Sequence, residues 1–201
     1  MKIVGITQRV VVAPKHGERR DALDQRWPQF LAAVGVAGVP LPNVPHLAVR
    51  LASELEVAGL VLTGGNDLAA YGGDAPERDA TEAALIEWAR SRSTPLMGVC
   101  RGMQVILHGF GAALERAEGH VTPSHSILVD GEPRNVNSYH NFVARKAVPM
   151  LRVWGTAWDG SIEAIRHDSE PILGVMWHPE RAEPFEPRDL AMFRAFFGVG
   201  G

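Results

Sequence analysis

Cysteine is nearly absent from this 201-residue chain: Cys100 is the only one. A single thiol excludes an internal disulfide and points to a reducing compartment. Long apolar runs are missing too, and none approaches the roughly 18 residues of a membrane span. Neither sign of charge dominates. Twenty Lys and Arg stand against 23 Asp and Glu, a net charge of −3, which indicates neither nucleic acid nor an acidic membrane as a bulk partner. The opening residues, Met1-Lys2-Ile3-Val4-Gly5-Ile6-Thr7, are too short and too strand-like for a signal peptide. Internal repeats, low-complexity tracts and domain linkers are absent. With 46% hydrophobic and 21% charged residues, the composition is ordinary for a soluble protein. One cytoplasmic domain over 1–201 is expected.

Short apolar runs alternate with stretches of helical spacing. Lys2 to Thr7, Val36 to Leu41, Gly59 to Thr63 and Leu96 to Val99 read as strands. Between and after them, Leu23 to Val34 (with Pro28 in its first turns), Leu47 to Leu55, Thr81 to Ser91 and Arg101 to Phe110 read as helices. This order predicts an α/β fold with a mainly parallel sheet covered on both faces. After Gly111 the pattern changes to strands separated by Gly and Pro: Leu114 to Arg116, Ser126 to Val129, Arg134 to Asn137, Arg152 to Trp154, Ser161 to Arg166 and Ile172 to Trp177. This half is expected to be more antiparallel, returning to the main sheet near Ile172. Asp189 to Phe197 reads as a closing helix.

Gly98-Val99-Cys100-Arg101-Gly102 has the form G-x-nucleophile-x-G, which holds a reactive side chain on a sharp strand-to-helix turn. A helix starting at Arg101 would favour the thiolate. A lone cysteine is ordinarily a buried structural residue, but the flanking glycines and the context reverse that here. A Cys nucleophile needs a base. Trp177-His178-Pro179-Glu180 ends the apolar run from Ile172. In an extended segment His178 and Glu180 would point the same way, so Glu180 could orient the imidazole while its other nitrogen faces Cys100. Leu62-Thr63-Gly64-Gly65-Asn66-Asp67 ends another strand. Its glycines let backbone amides approach a ligand, and an oxyanion hole would join one of them to the Arg101 amide. The bland alternatives are a strand-end histidine, a solvated carboxylate and a tight turn. A phosphate loop is disfavoured because no G-x-x-x-x-G-K-[ST] occurs.

Together these motifs resemble the class I glutamine amidotransferases over nearly the whole chain: Gly98 to Gln104, with His178-Pro179-Glu180 downstream and Thr63-Gly64-Gly65 upstream. The segments Gly5-Ile6-Thr7, Gly64 to Asp67, Tyr71-Gly72, Arg78-Asp79 and Val136 to His140 resemble the γ-glutamyl-γ-aminobutyrate hydrolase branch. Gln8-Arg9, Glu18 to Trp27 and Ala75 to Arg78 resemble a smaller group within it. That group hydrolyses γ-glutamyl amides of nucleotide-activated amino alcohols, such as γ-glutamyl-CDP-ethanolamine, in surface-polysaccharide pathways. The resemblance implies a flavodoxin-like three-layer α/β sandwich with a mainly parallel central sheet and a smaller antiparallel element. It implies a thioester on Cys100, proton transfer by His178, orientation by Glu180 and an oxyanion hole at Gly65 and Arg101. Gly64, Asn66, Gln104, Asn137, Ser138 and Tyr139 would line the glutamyl pocket. His140 would be either a second site histidine or a surface residue.

Arg9, Arg19, Arg20 and Arg26 follow the first strand, whose C-terminal end faces the crevice of an open α/β sheet. Arginine suits bidentate phosphate recognition, so these would bind a phosphorylated leaving group; the alternative is a solvated segment paired with Glu18, Asp21 and Asp24. His120 and His125 have Thr122, Pro123 and Ser124 as neighbours and no Cys or acidic partner at ligand spacing, so no metal and no cofactor are expected. The expected partner is a small γ-glutamyl amide. Oligomeric state is left open, a homodimer included, because the C-terminal aromatics could pack in the core or at an interface.

Three functions follow. The first is a stand-alone hydrolase of γ-glutamyl amides, acting on a nucleotide-activated amine or on γ-glutamyl-γ-aminobutyrate of polyamine catabolism. The second is a glutaminase subunit passing ammonia to a separate synthetase. The third is a binding protein on the same architecture, against which an intact Cys100, His178 and Glu180 argue.

Overall fold

The computed structural model describes residues 1–200. Thirteen strands and five α-helices form in the order β1 (Lys2–Ile6), β2 (Arg9–Ala13), β3 (Glu18–Ala22), α1 (Arg26–Val34), β4 (Val36–Pro40), α2 (Pro45–Glu54), β5 (Leu60–Leu62), α3 (Pro76–Arg92), β6 (Leu96–Val99), α4 (Arg101–Gly109), β7 (Glu115–Arg116), β8 (Val121–Val129), β9 (Glu132–Tyr139), β10 (Phe142–Val143), β11 (Leu151–Ala157), β12 (Ile162–His167), β13 (Ile172–Val175) and α5 (Pro187–Phe196). Prolines set three helix starts, occupying the first turn of α2, α3 and α5, where no intrahelical N–H is lost. Helix α3 carries Glu77 and Asp79 in its first turn and Arg90 and Arg92 in its last, matching its dipole.

Nine strands join in one sheet, ordered β4-β1-β5-β6-β13-β12-β11-β8-β9. The pairings from β4 to β13 are parallel; those from β13 to β9 are antiparallel. The expected antiparallel element is therefore a continuation of the parallel sheet. It enters through β12, whose Ala164 opposes Val175. Two short antiparallel ribbons, β2-β3 and β7-β10, stand apart from it.

Both faces of the parallel half are covered, which makes three layers. On one face Trp27, Phe30 and Leu31 of α1 pack with Phe193 of α5 over Val4, Val61, Val99 and Val175. On the other, Leu85 and Ile86 of α3 and Met103 and Ile106 of α4 pack on Leu60, Leu62, Leu96 and Ile172. Each large side chain so buried contributes roughly 1.5–3 kcal/mol. Phe193 and Phe197 are buried, with Phe193 edge-on to Phe30 at 4.9 Å, so these C-terminal aromatics serve the core. No helix among the described residues is long and apolar enough to cross a membrane.

The β2-β3 hairpin departs from the sequence expectation of a loop leading into a helix at Leu23. The β-branched Val10-Val11-Val12 run pairs with Arg19 to Asp21 across a turn that includes Gly17. Helix α1 starts at Arg26, where the Asp24 carboxylate accepts the Arg26 amide at 3.0 Å.

Candidate active site

Three adjacent parallel strands end at one place. Thr63 to Gly65 follow β5, Cys100 follows β6, and Trp177-His178 follow β13 shortly after its end. A ligand crevice at the C-terminal ends of the strands is the rule for open α/β sheets. The Cys100 amide donates to Val175 O at 2.8 Å, which ties the first residue beyond β6 to β13.

Cys100 adopts φ 52°, ψ −111°, a sparsely populated conformation for a residue with a side chain. The neighbouring glycines permit it. A Cβ at Gly98 would lie 2.7 Å from the backbone of Gly102 and Met103, and one at Gly102 would meet the Leu62 carbonyl. Helix α4 begins at the next residue, so its positive end lies behind the sulfur. Cys100 is 5% exposed, enough to line a cavity of about 270 Å³ with Gly65, Asn66, Gln104, Tyr139 and His140.

His178 and Glu180 are both buried, with Nδ1 and Oε1 2.7 Å apart. The expected extended segment is instead one extended residue, His178, followed by a tight 3-10 turn over Pro179–Arg181. The turn still folds the carboxylate back onto the ring. Burial alone would lower the His178 pKa. The Cys100 sulfur, by charge and hydrogen bond, and the Glu180 carboxylate outweigh burial and raise it to about 10. A Cβ on Gly64 would lie 2.6 Å from His178 Cε1 and 3.5 Å from Cys100 Cβ, so only glycine fits between the two side chains.

The remaining anticipated residues divide by what holds them. Gln104 lines the Cys100 cavity and donates to Phe142 O at 2.9 Å. Asn66 borders the same cavity, but its side chain is paired with the Val10 backbone at 2.9 and 3.0 Å. Asn137 grips the His178 backbone instead of facing the Cys100 cavity, donating to His178 O at 2.9 Å and accepting its N–H at 2.8 Å. Ser138 is turned to the His120 carbonyl, 2.6 Å away. Tyr139 presents its ring 5.8 Å from that of His178. His140 is buried, 3% exposed, which rules out the surface alternative.

The four N-terminal arginines do not act as a group. Arg19 is paired with Glu77 and the Asp74 carbonyl, and Arg20 with Glu18. Arg26 donates to Glu180 O and Ala182 O and pairs with Glu183, so it braces the turn after His178. Arg9 alone stands against Gly65, with Thr63, Gly64, His178 and Arg181 around the same small cleft. Beyond His178 a second cavity, about 340 Å³, is lined by Arg134, Asn137, Tyr139, Trp177 and Arg181 among others.

Two groups were not anticipated. The first is a buried ion network beneath the Gly64-Gly65 loop. Glu82 pairs with Arg78 and with Arg101, which also pairs with Asp79. Arg78 donates to the carbonyls of Thr63, Gly64 and Gly65. Burial pushes the Arg78 guanidinium down to about 10, against the attraction of Glu82. The i, i+4 spacing of Arg78 and Glu82 is visible in sequence, but it reads there as a solvated pair. The second is acidic company for His120 and His125. No acidic partner stands at ligand spacing along the chain, but the fold brings Glu163 of β12 and Asp159 to them, which removes the ground for expecting no metal there. Ligand spacing along the chain cannot reveal a partner from a distant strand.

Known proteins bear on this geometry. Residues 2–180 match the family Peptidase C26. A γ-glutamyl-CDP-amidate hydrolase from Campylobacter jejuni is 34% identical over 181 residues, covering 89% of this chain and 90% of that protein. A γ-glutamyl-γ-aminobutyrate hydrolase from Escherichia coli O157:H7 is 29% identical over 206 residues, with 82% and 80% covered. The crystal structure of a glutamine amidotransferase from Thermotoga maritima superposes with a TM-score of 0.71 at 16% identity, covering 96% of this chain and 83% of that one; at that identity it speaks for the fold.

Proposed function

The chain belongs to the peptidase C26 family, and from that premise we propose that it hydrolyses γ-glutamyl amides through a Cys100-His178-Glu180 triad. The observation that carries the proposal is Cys100 held at positive φ against a buried, Glu180-paired His178. The γ-carbonyl carbon is attacked by Cys100 Sγ and the carbonyl oxygen takes negative charge. Gly65 and Arg101 supply N–H donors for it, and neither amide is spent on a backbone carbonyl. His178 gives its proton to the departing amine as the C–N bond breaks, leaving a γ-glutamyl thioester. Water, deprotonated by His178, then attacks the thioester; glutamate leaves and the thiolate returns.

The glutamyl part occupies the Cys100 cavity, beside Gln104, Tyr139 and His140. The leaving amine extends into the larger cavity past His178, and the similarity to the γ-glutamyl-CDP-amidate hydrolase supports a nucleotide-activated amine of the kind used in surface-polysaccharide synthesis. Arg181 lines that cavity and Arg9 the small cleft beside His178, and these two are the phosphate-binding candidates. Arg19, Arg20 and Arg26 have other partners.

The test is glutamate release from glutamine, γ-glutamyl-γ-aminobutyrate and γ-glutamyl-CDP-ethanolamine at equal concentration. Preference for the nucleotide substrate, weakened in Arg181→Ala, supports the finer assignment. Preference for γ-glutamyl-γ-aminobutyrate keeps the hydrolase and discards the nucleotide. Activity on glutamine alone, stimulated by an added synthetase, replaces it with an amidotransferase subunit.

A further inference from the structure

Away from Cys100, three imidazoles converge on one carboxylate in the antiparallel half of the sheet. Glu163 Oε1 lies 3.3 Å from His120 Nδ1, 3.6 Å from His125 Nε2 and 3.5 Å from His140 Nε2. All four residues are at least 96% buried. These three ring nitrogens and both Glu163 oxygens have no hydrogen-bond partner among the described residues.

The protons on two of the rings are spoken for elsewhere. His120 Nε2 faces Asp159 Oδ2 at 3.2 Å, and His140 Nδ1 faces the Phe142 carbonyl at 3.2 Å. Asp159 is itself held by the Ser161 amide and hydroxyl and by Arg145. A proton on each of those outer nitrogens leaves lone pairs on His120 Nδ1 and His140 Nε2. Both then point at a carboxylate oxygen, an arrangement of acceptors facing acceptors that only a bound cation or a further proton on the ring makes favourable.

The distances to Glu163 agree. Charge-assisted hydrogen bonds run about 2.7–2.9 Å, shorter than anything here. Ligand atoms bonded at roughly 2.0–2.1 Å to a tetrahedral zinc ion lie roughly 3.3 Å apart. Carboxylate and carbonyl acceptors behind ligating histidines are the usual second sphere of such a centre.

We propose that His120, His125 and Glu163, whose ligand atoms all lie within 4.8 Å of one another, form a structural site for a divalent transition-metal ion of the zinc class, with His140, 3.5 Å from the same Glu163 oxygen, drawn in as the fourth ligand. With His140 drawn in, four protein ligands close the coordination sphere, so the ion holds structure and takes no substrate. It ties the β8-β9 strands to β12 where the β8-β9 pairing is irregular, between Thr122 and His125. It thereby fixes His140 and Tyr139, which line the Cys100 cavity.

Untagged full-length protein, expressed with zinc in the medium, is analysed for metal by mass spectrometry. It is then stripped with a chelator and titrated with zinc or Co²⁺. About one zinc per chain is expected, with a Tm rise of roughly 5 °C or more on adding zinc back to stripped protein. Co²⁺ should give the visible absorption of a tetrahedral ion. His125→Ala and Glu163→Gln should weaken zinc binding about 100-fold. If those variants do not fold, the stripped wild-type chain decides alone. Wild-type protein that carries no metal, shows no Tm shift with zinc and no Co²⁺ absorption overturns the proposal.

Discussion

Asn137 holds both backbone polar groups of His178, the carbonyl at 2.9 Å and the amide at 2.8 Å. It touches neither Cys100 nor its cavity. The antiparallel half of the sheet, through β9, therefore sets the position of a residue that follows a parallel strand. Asn137→Ala removes two half-buried hydrogen bonds and frees the His178 backbone. A kcat loss of about 10–100-fold with KM little changed is expected, since a misplaced base impairs the chemical step more than binding. Steady-state kinetics on the best γ-glutamyl amide checks this; a KM effect alone would return Asn137 to substrate binding.

Cys100→Ala should abolish turnover while retaining substrate binding, readable by calorimetry. His178→Ala should be nearly as severe. Glu180→Gln should be milder, because the amide still accepts the Nδ1 proton and only its charge is lost. Full activity in Cys100→Ala would end the thioester mechanism.

Gly64→Ala is predicted to inactivate without unfolding. Its Cβ would intrude between His178 and Cys100, 2.6 Å from the ring. The crevice lies at the strand ends, so the core is untouched. The expected pair of results is an unchanged Tm within about 2 °C and a loss of activity of about 100-fold or more.

Glu82→Gln tests the network under the Gly64-Gly65 loop. Two guanidinia share this buried carboxylate. Removing its charge leaves Arg78 without an ionic partner, and breaking a buried pair in this way costs about 3–5 kcal/mol. Urea unfolding measures that loss. Because Arg78 also bonds the Gly64 and Gly65 carbonyls, activity should fall further than the unfolded fraction accounts for.

Much of this was legible from residue order. The alternation of apolar runs and helical stretches up to Phe110 gives the parallel strands and their helices to within a few residues, because each is a local pattern. Gly98, Gly102 and Gly64 announce close packing, and the structure supplies the atoms they avoid: Met103, Leu62 and His178. What was illegible depends on tertiary pairing. The hairpin at Arg9 to Ala22 hid because its second strand, Glu-Arg-Arg-Asp-Ala, is charged and exposed. The Arg20–Glu18 pair was open to reading, being local, but Arg19 and Arg26 looked like free cations because Glu77 and Glu183 reach them only in the fold. Glu163 is an unremarkable strand residue until the fold brings β12 to His120, His125 and His140.

The pH dependence follows from His178. Its pKa is about 10 in the folded protein, against about 6.5 in an unfolded chain. A raised folded-state value contributes stability that is fully present below about 6.5 and lost as pH rises through about 10. In the proposed mechanism the same protonated ring donates to the leaving amine, so kcat/KM should fall through the same alkaline window. Cys100→Ala separates the causes. Without the sulfur, burial pulls the ring down against Glu180 alone, so His178 should titrate at lower pH than in the wild type. Its alkaline stability limit should move the same way. NMR titration of the His178 Cε1–H in both proteins reads this directly. Equal values would mean that Cys100 and His178 do not share charge, and the nucleophile would then need another base; a wild-type value near 6.5 would remove the imidazolium from the resting enzyme.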